Sequence, residues 1–152
     1  MAVDHAFHEI GLHRPALLAH REVSCFDDGD QGGTFCGNPL MAAAGCAVIE
    51  EVSKPAFLAR VRQAGRRLEE GLRVLSRKHG CGEVRGQGLL LALNLGRDNA
   101  AQMVELCLER GALINGPRTN VLRFMPALTV TNDEIDRMLD LLDEVLGEVK
   151  AQ

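Results

Sequence analysis

The sequence predicts an α+β fold, a small antiparallel or mixed sheet with packed helices, preceded by a long buried helix. Three observations predict it. Four segments carry helix signals, two neighbouring pairs of short apolar runs bounded by glycine lie between them, and no internal repeat or low-complexity linker interrupts the series. A chain of 152 residues with 46% hydrophobic and 25% charged side chains is long enough to close one core without disulfides or metal, and too short for a multidomain enzyme.

Each element has its own justification. Residues 16–26 are apolar enough for a short strand or a helical turn, and a loop from Asp27 to Thr34 follows. Asn38 can accept from a first-turn amide and Pro39 has the φ suited to the first helical position, so a helix starts there. It runs to Val52 and is apolar on nearly every side, which predicts burial. A second helix begins near Lys54-Pro55 and runs to about Lys78, with Phe57, Leu58, Val61, Leu68, Leu72 and Leu75 as one stripe and six arginines on the solvated faces. Gly80-Cys81-Gly82 ends it. Glu83 to Leu95 reads as extended chain with a bend at Gly86-Gln87-Gly88, which lacks the third glycine and following helix of a dinucleotide fingerprint.

Asn99 and Gln102 form a capping-box signature for a third helix that Gly111 terminates. Residues 112–115 and 120–124 are strand candidates around a turn at Gly116-Pro117-Arg118-Thr119. Thr131 and Glu134 cap a last helix whose Ile135, Met138, Leu139, Leu142, Val145, Leu146 and Val149 recur at helical spacing.

Composition excludes several classes of function. Seventeen basic against 21 acidic residues, a net charge of -4, argues against a nucleic-acid binder, because phosphate contacts need a basic surface. No apolar run reaches the ~20 residues of a membrane span, which predicts a soluble chain. Five cysteines without a C-x-x-C pair, and a start without the pattern of a secretory signal, predict a reduced cytoplasmic compartment. Cys46 and Cys107 sit at helical spacing among apolar neighbours and read as small buried hydrophobes. His5, His8, His13 and His20 match no familiar ligand spacing, so no metal site is expected. Of the basic residues only Lys54, Lys78 and Lys150 are lysine.

Two places could carry chemistry. The loop from Gly29 to Thr34 has exposed amides, a hydroxyl and a helix start a few residues on, the ingredients of an anion cradle or of an ordinary turn. Arg123 interrupts the apolar run 121–126; it either finds an anionic partner, in a salt bridge or a ligand, or points outward from an edge strand. No Ser-His-Asp set or carboxylate pair stands out.

The segment Gly29-Asp30-Gln31-Gly32-Gly33-Thr34-Phe35-Cys36-Gly37-Asn38-Pro39-Leu40 resembles the opening of the C-terminal part of the class III, pyridoxal-phosphate-dependent aminotransferases of fold type I. Val84 to Leu90, Gly111 to Asn115 and Asn120 to Thr131 resemble further motifs of that family, in the family's order. Among its members the chain is most similar to the acetylornithine aminotransferases, through Gly-Asp-Gln-Gly-Gly-Thr. Cys36 stands where the family commonly has Gly or Asn.

The resemblance implies the C-terminal domain of a fold type I transferase. It implies that Thr34 binds the cofactor phosphate, reaching the neighbouring subunit's site in a dimer, and that Arg123 binds the α-carboxylate of an amino-acid or 2-oxo-acid substrate. The parent reaction it implies moves an amino group from N-acetylornithine or a related ω-amine to 2-oxoglutarate. It also implies a Schiff-base lysine near position 6, where the sequence has Ala6, and no lysine precedes Lys54. Transamination needs that amine.

The expectation is therefore three segments: 1–15 unmatched, 16–53 a remnant of the large domain with the phosphate loop and interdomain helix, and 54–152 the small domain. Such a chain, the product of a truncated or frame-disrupted gene, binds no pyridoxal phosphate, has no catalytic residue and is inactive alone. The alternative is a non-catalytic dimerisation module, self-associating through residues 16–52, or a remnant without a role.

Overall fold

The computed structural model describes Glu22 and residues 38–150. The expectations for residues 1–15, for the strand or turn at 16–26 and for the loop bearing Thr34 lie outside the described residues, as do all four histidines of the N-terminal series. The chain divides at Phe57/Leu58 into two compact units.

In the first unit, helix α1 spans Pro39–Val52. Its start is the one the sequence dictates: the Asn38 side chain accepts from the Leu40 and Met41 amides at 3.0 and 3.4 Å, and Pro39 occupies the first turn, where its missing N–H costs nothing. The expected burial is not found. Leu40 is 71% and Ile49 54% exposed, Cys46 is exposed rather than a core residue, and only Gly45 is buried. A helix apolar on all faces needs neighbours on all faces, and the exposure of Leu40 and Ile49 shows that these two side chains lack such cover.

The second unit is the α+β domain. Helix α2 (Pro55–His79) enters it and is followed by β1 (Val84–Gln87), β2 (Leu90–Asn94), α3 (Ala100–Glu109), β3 (Asn115–Arg118), β4 (Val121–Phe124) and α4 (Asn132–Lys150). The four strands form one sheet in the order β1-β2-β4-β3, antiparallel throughout. Val84, Leu91, Leu93, Leu122 and Phe124 point from the sheet into a core completed by Leu68, Leu72 and Leu75 of α2, Met103 and Cys107 of α3, and Ile135, Leu142 and Val145 of α4. Burial pushes the Cys107 thiol pKa up, against a smaller opposing pull from Arg110.

Local chemistry sets the boundaries. Gly80 takes φ +70° after α2, and the Cys81 amide reaches back to the Ser76 carbonyl at 2.9 Å. Gly111 takes φ +85° after α3, with Gly111 bonding back to Leu108 and Ala112 to Cys107. The α4 start is a complete capping box: Thr131 N–H donates to Glu134 Oε2 at 2.8 Å, and Glu134 N–H returns to Thr131 Oγ1 at 3.3 Å. The Thr131 backbone N–H, and after it the Thr131 hydroxyl, donate to the Glu134 carboxylate and hold it below its ordinary pKa. The β1–β2 hairpin turns at Gly88-Leu89 with Gly88 at φ +60°, the glycine-first arrangement of a type II′ turn.

Two expectations are corrected. Asn99 precedes α3, but its side chain makes no capping bond and its Oδ1 has no hydrogen-bond partner among the described residues. The Ala100 amide instead donates to the Thr119 carbonyl at 2.8 Å, so backbone from the β3–β4 turn does the work. The Gly116-Pro117 pair expected to form that turn lies inside β3, and residues 112–114 are not strand. Pro117 is tolerated because β3 is an edge strand, whose outer side needs no donor.

Candidate functional site

Arg123 sits at the centre of β4, between Leu122 and Phe124, both buried, and is itself exposed. Alternation along the strand therefore aims it at the face of the sheet opposite the core. β4 is an inner strand, so Arg123 is not the outward residue of an edge. Its neighbours follow from the register. It pairs with Ala92 of β2 on one side and Asn115 of β3 on the other, and Ala92 pairs in turn with Arg85 of β1. Residues directly opposite in a ladder share a face. Arg85, Ala92, Arg123 and Asn115 thus form one transverse row across the outer face of all four strands.

Arg123 and Asn115 also line an open groove of about 710 Å³, whose remaining wall is largely apolar, with Leu113, Ile114, Met125 and Met138 along it. Its size is that of a small-molecule site. Leu113 is 89% and Met125 52% exposed, an apolar rim beside a guanidinium. Among the described residues Arg123 makes no ion pair or hydrogen bond. Four other cations of this unit are paired internally: Arg67 with Asp136, Arg73 with Glu69, Lys78 with Asp143 and Arg110 with Glu148. A planar, permanently charged donor fork held at the rim of a groove without a counter-ion suits a carboxylate ligand.

Asn115 and Arg85 were not singled out from sequence. The signal for Arg85 was the alternation of Val84 with Arg85, which marks an outward position; the signal for Asn115 is cross-strand register, which no local pattern holds. Thr34, the other residue singled out, lies outside the described residues.

Known proteins show the same architecture. The structural neighbours are fold type I pyridoxal-phosphate aminotransferases. They include N-acetylornithine aminotransferase from Stenotrophomonas maltophilia K279a, with TM-score 0.71 and 28% identity over 76% of this chain and 33% of that one. Acetylornithine aminotransferase from Elizabethkingia anophelis aligns with TM-score 0.72 and 25% identity over 81% and 33%.

The chain belongs to the class-III aminotransferases, whose family model matches residues 10–146. It is 51% identical over 139 residues to the acetylornithine aminotransferase of Ralstonia nicotianae and 48% identical over 143 residues to acetylornithine aminotransferase 2 of Bordetella pertussis. These alignments cover 90% and 92% of this chain and 35% and 36% of the relatives, so the chain spans about a third of their length.

The family is in general dependent on pyridoxal phosphate, which is bound through a lysine amine. Neither Lys54 nor Lys78, the two lysines whose side chains are described, fits that attachment. Lys54 pairs with Glu51 and Lys78 with Asp143, and neither lysine lines the groove beside Arg123. Among the described residues no helix is long and apolar enough to cross a membrane.

Proposed function

We propose that this chain corresponds to the C-terminal portion of an acetylornithine-type aminotransferase, contributing a carboxylate-binding arginine to a site whose covalent chemistry lies elsewhere. The observation that carries the reading is Arg123: exposed at the rim of an apolar groove, fixed on an inner strand, and without an ion pair among the described residues. Its guanidinium binds and orients the carboxylate of an amino-acid or 2-oxo-acid substrate, while Thr34 takes the cofactor phosphate in the assembled site. Of the three segments, 54–152 is the small domain and 16–53 the part belonging to the large domain, and the family model extends beyond them to residue 10. By itself the chain transfers no amino group, because no lysine stands where the Schiff base is formed.

Two measurements test this. Titration of the 15N-arginine-labelled chain with N-acetylornithine and with 2-oxoglutarate shifts the Arg123 Nε–H signal, and Arg123→Gln removes the binding. Absence of any Arg123 response to either acid overturns the assignment. Added pyridoxal phosphate produces no protein-bound absorbance band, and borohydride fixes none of it stoichiometrically on a single lysine; one stoichiometric adduct overturns the inactive reading.

A second reading is favoured by α1, whose Leu40 and Ile49 are exposed. Residues 16–52 would then pair with a second copy or with an intact aminotransferase subunit, in the cytoplasm, as a non-catalytic interaction module. A clean monomer by size exclusion and no complex with a full-length relative would sink it.

A further inference from the structure

We infer that Asn115-Gly116 is a site of spontaneous deamidation, and that the carboxylate it produces pairs with Arg123 from within the sheet. The modification stands on the chemistry of the edge strand, whereas its effect on a ligand rests on the carboxylate reading of Arg123.

Of the six asparagines in the chain, Asn115 alone is followed by glycine; the others precede Pro39, Leu95, Ala100, Val121 and Asp133. A glycine amide has no Cβ beside it to hinder attack on the preceding side chain. The backbone nitrogen of Gly116 forms a bond to Asn115 Cγ, the Cγ–Nδ2 bond breaks, and the amide proton leaves with the nitrogen as ammonia. Water then opens the five-membered imide. Opening at Cγ gives aspartate, and opening at the main-chain carbonyl gives isoaspartate, in which the chain runs through Cγ. Either product carries a negative charge where the amide had none.

The strand leaves this pair free to react. β3 lies at the edge of the sheet, and Asn115 and Gly116 are both exposed. Its pairing with β4 is irregular: Asn115 stands opposite Arg123 and Arg118 opposite Val121, three steps on β3 against two on β4. The surplus residue interrupts the ladder at Gly116-Pro117, and Pro117 has no N–H with which to restore it. The attacking nitrogen therefore sits in a bulge rather than in a continuous run of pairs.

Position gives the modification its consequence. Residues directly opposite in a ladder hold their Cβ atoms roughly 5 Å apart on one face, and both Asn115 and Arg123 line the groove. Arg123 has no ion pair among the described residues. A carboxylate at position 115 supplies one permanently, so an incoming acid must displace it and also meet its charge.

The test uses the full chain, 15N-labelled at arginine and incubated warm at mildly alkaline pH, which favours the deprotonated amide. Peptide mass mapping is expected to find a gain of about 1 Da at position 115 ahead of the other five asparagines, with isoaspartate in the same peptide. The aged chain should show a shifted Arg123 Nε–H signal without ligand and bind 2-oxoglutarate about fivefold more weakly than the fresh chain. Asn115→Asp reproduces both effects. Gly116→Ala adds a Cβ 3.3 Å from Val104 Cγ2, the end of a side chain; it should slow the mass gain several-fold and keep the fresh affinity through the same incubation. Deamidation at Asn115 no faster than at the other five overturns the inference and leaves the Arg123 reading standing. A mass gain with the Arg123 signal unmoved, in the aged chain and in Asn115→Asp alike, overturns it as well. If Arg123 of the fresh chain ignores 2-oxoglutarate, the carboxylate reading falls, while the mass gain and the ligand-free shift still decide the modification.

Discussion

Gly65 of α2 lies against Gly88 at the tip of the β1–β2 hairpin: a Cβ on Gly65 would come 2.8 Å from both the carbonyl carbon and the oxygen of Gly88. The helix and the hairpin turn meet backbone to backbone, and the hairpin is the element that carries Arg85 and Ala92.

Gly65→Ala is therefore expected to destabilise the chain by about 1–3 kcal/mol, because the obstructing atoms are main chain and cannot rotate away. The ordinary gain of about 0.5–1 kcal/mol for replacing a helical glycine is outweighed. Urea unfolding followed by circular dichroism reads this as a lower midpoint; an unchanged or raised midpoint contradicts the close approach.

Gly147, inside α4, supplies the opposite case. Its added Cβ meets only His79 Cε1 at 3.8 Å, an ordinary contact. Gly147→Ala should then raise stability by roughly 0.5–1 kcal/mol through helix propensity alone. Measured side by side, the two glycine variants move the midpoint in opposite directions.

Thr131→Ala removes the acceptor of the Glu134 amide and the hydroxyl bonded to Glu134 Oε2 at 2.8 Å. The expected loss is about 1 kcal/mol, with Thr131→Ser restoring most of it. Hydrogen exchange should localise the change to the first turn of α4; a loss spread evenly over the sheet would argue that Thr131 acts through the groove wall instead.

Asp143 of α4 is bonded by His79 Nε2 at 2.6 Å and by Lys78 Nζ at 2.6 Å, and these bonds, His79 first, hold its carboxyl below the ordinary 3.8. A depressed carboxylate contributes stability that is full above its unfolded value and is lost as pH falls through the folded one. Asp143→Asn should thus be less stable than the parent above about pH 4, with the two curves converging as the pH drops further. Urea midpoints measured from neutral pH downward check it; a difference that persists undiminished in acid would assign the effect to packing.

The boundaries of the fold were legible because they are set by chemistry within a few residues. Asn38-Pro39, Gly80, Gly111 and the Thr131–Glu134 box each satisfy a helix end locally, and the order of helices and strand pairs follows from them. The exceptions share a cause. Asn99 has the side chain of a cap, yet the Ala100 amide takes the Thr119 carbonyl, a partner that exists only once β3 and β4 have paired. Gly116-Pro117 reads as a turn, and only its place at the sheet edge makes it strand.

The sequence by itself determined the four helices and the caps of α1 and α4, the presence of two neighbouring strand pairs, the family, and Arg123 as the residue out of keeping with its run. What tertiary structure alone decided is register and layer. The cross-strand pairs that set Arg85, Ala92, Arg123 and Asn115 in one row join residues from four separate strands, and such pairing is fixed by the shared burial of Val84, Leu91, Leu93, Leu122 and Phe124 rather than by any local preference. The exposure of α1 was decided in the same way, since apolar composition states what a helix would bury and only the neighbours present determine whether it does.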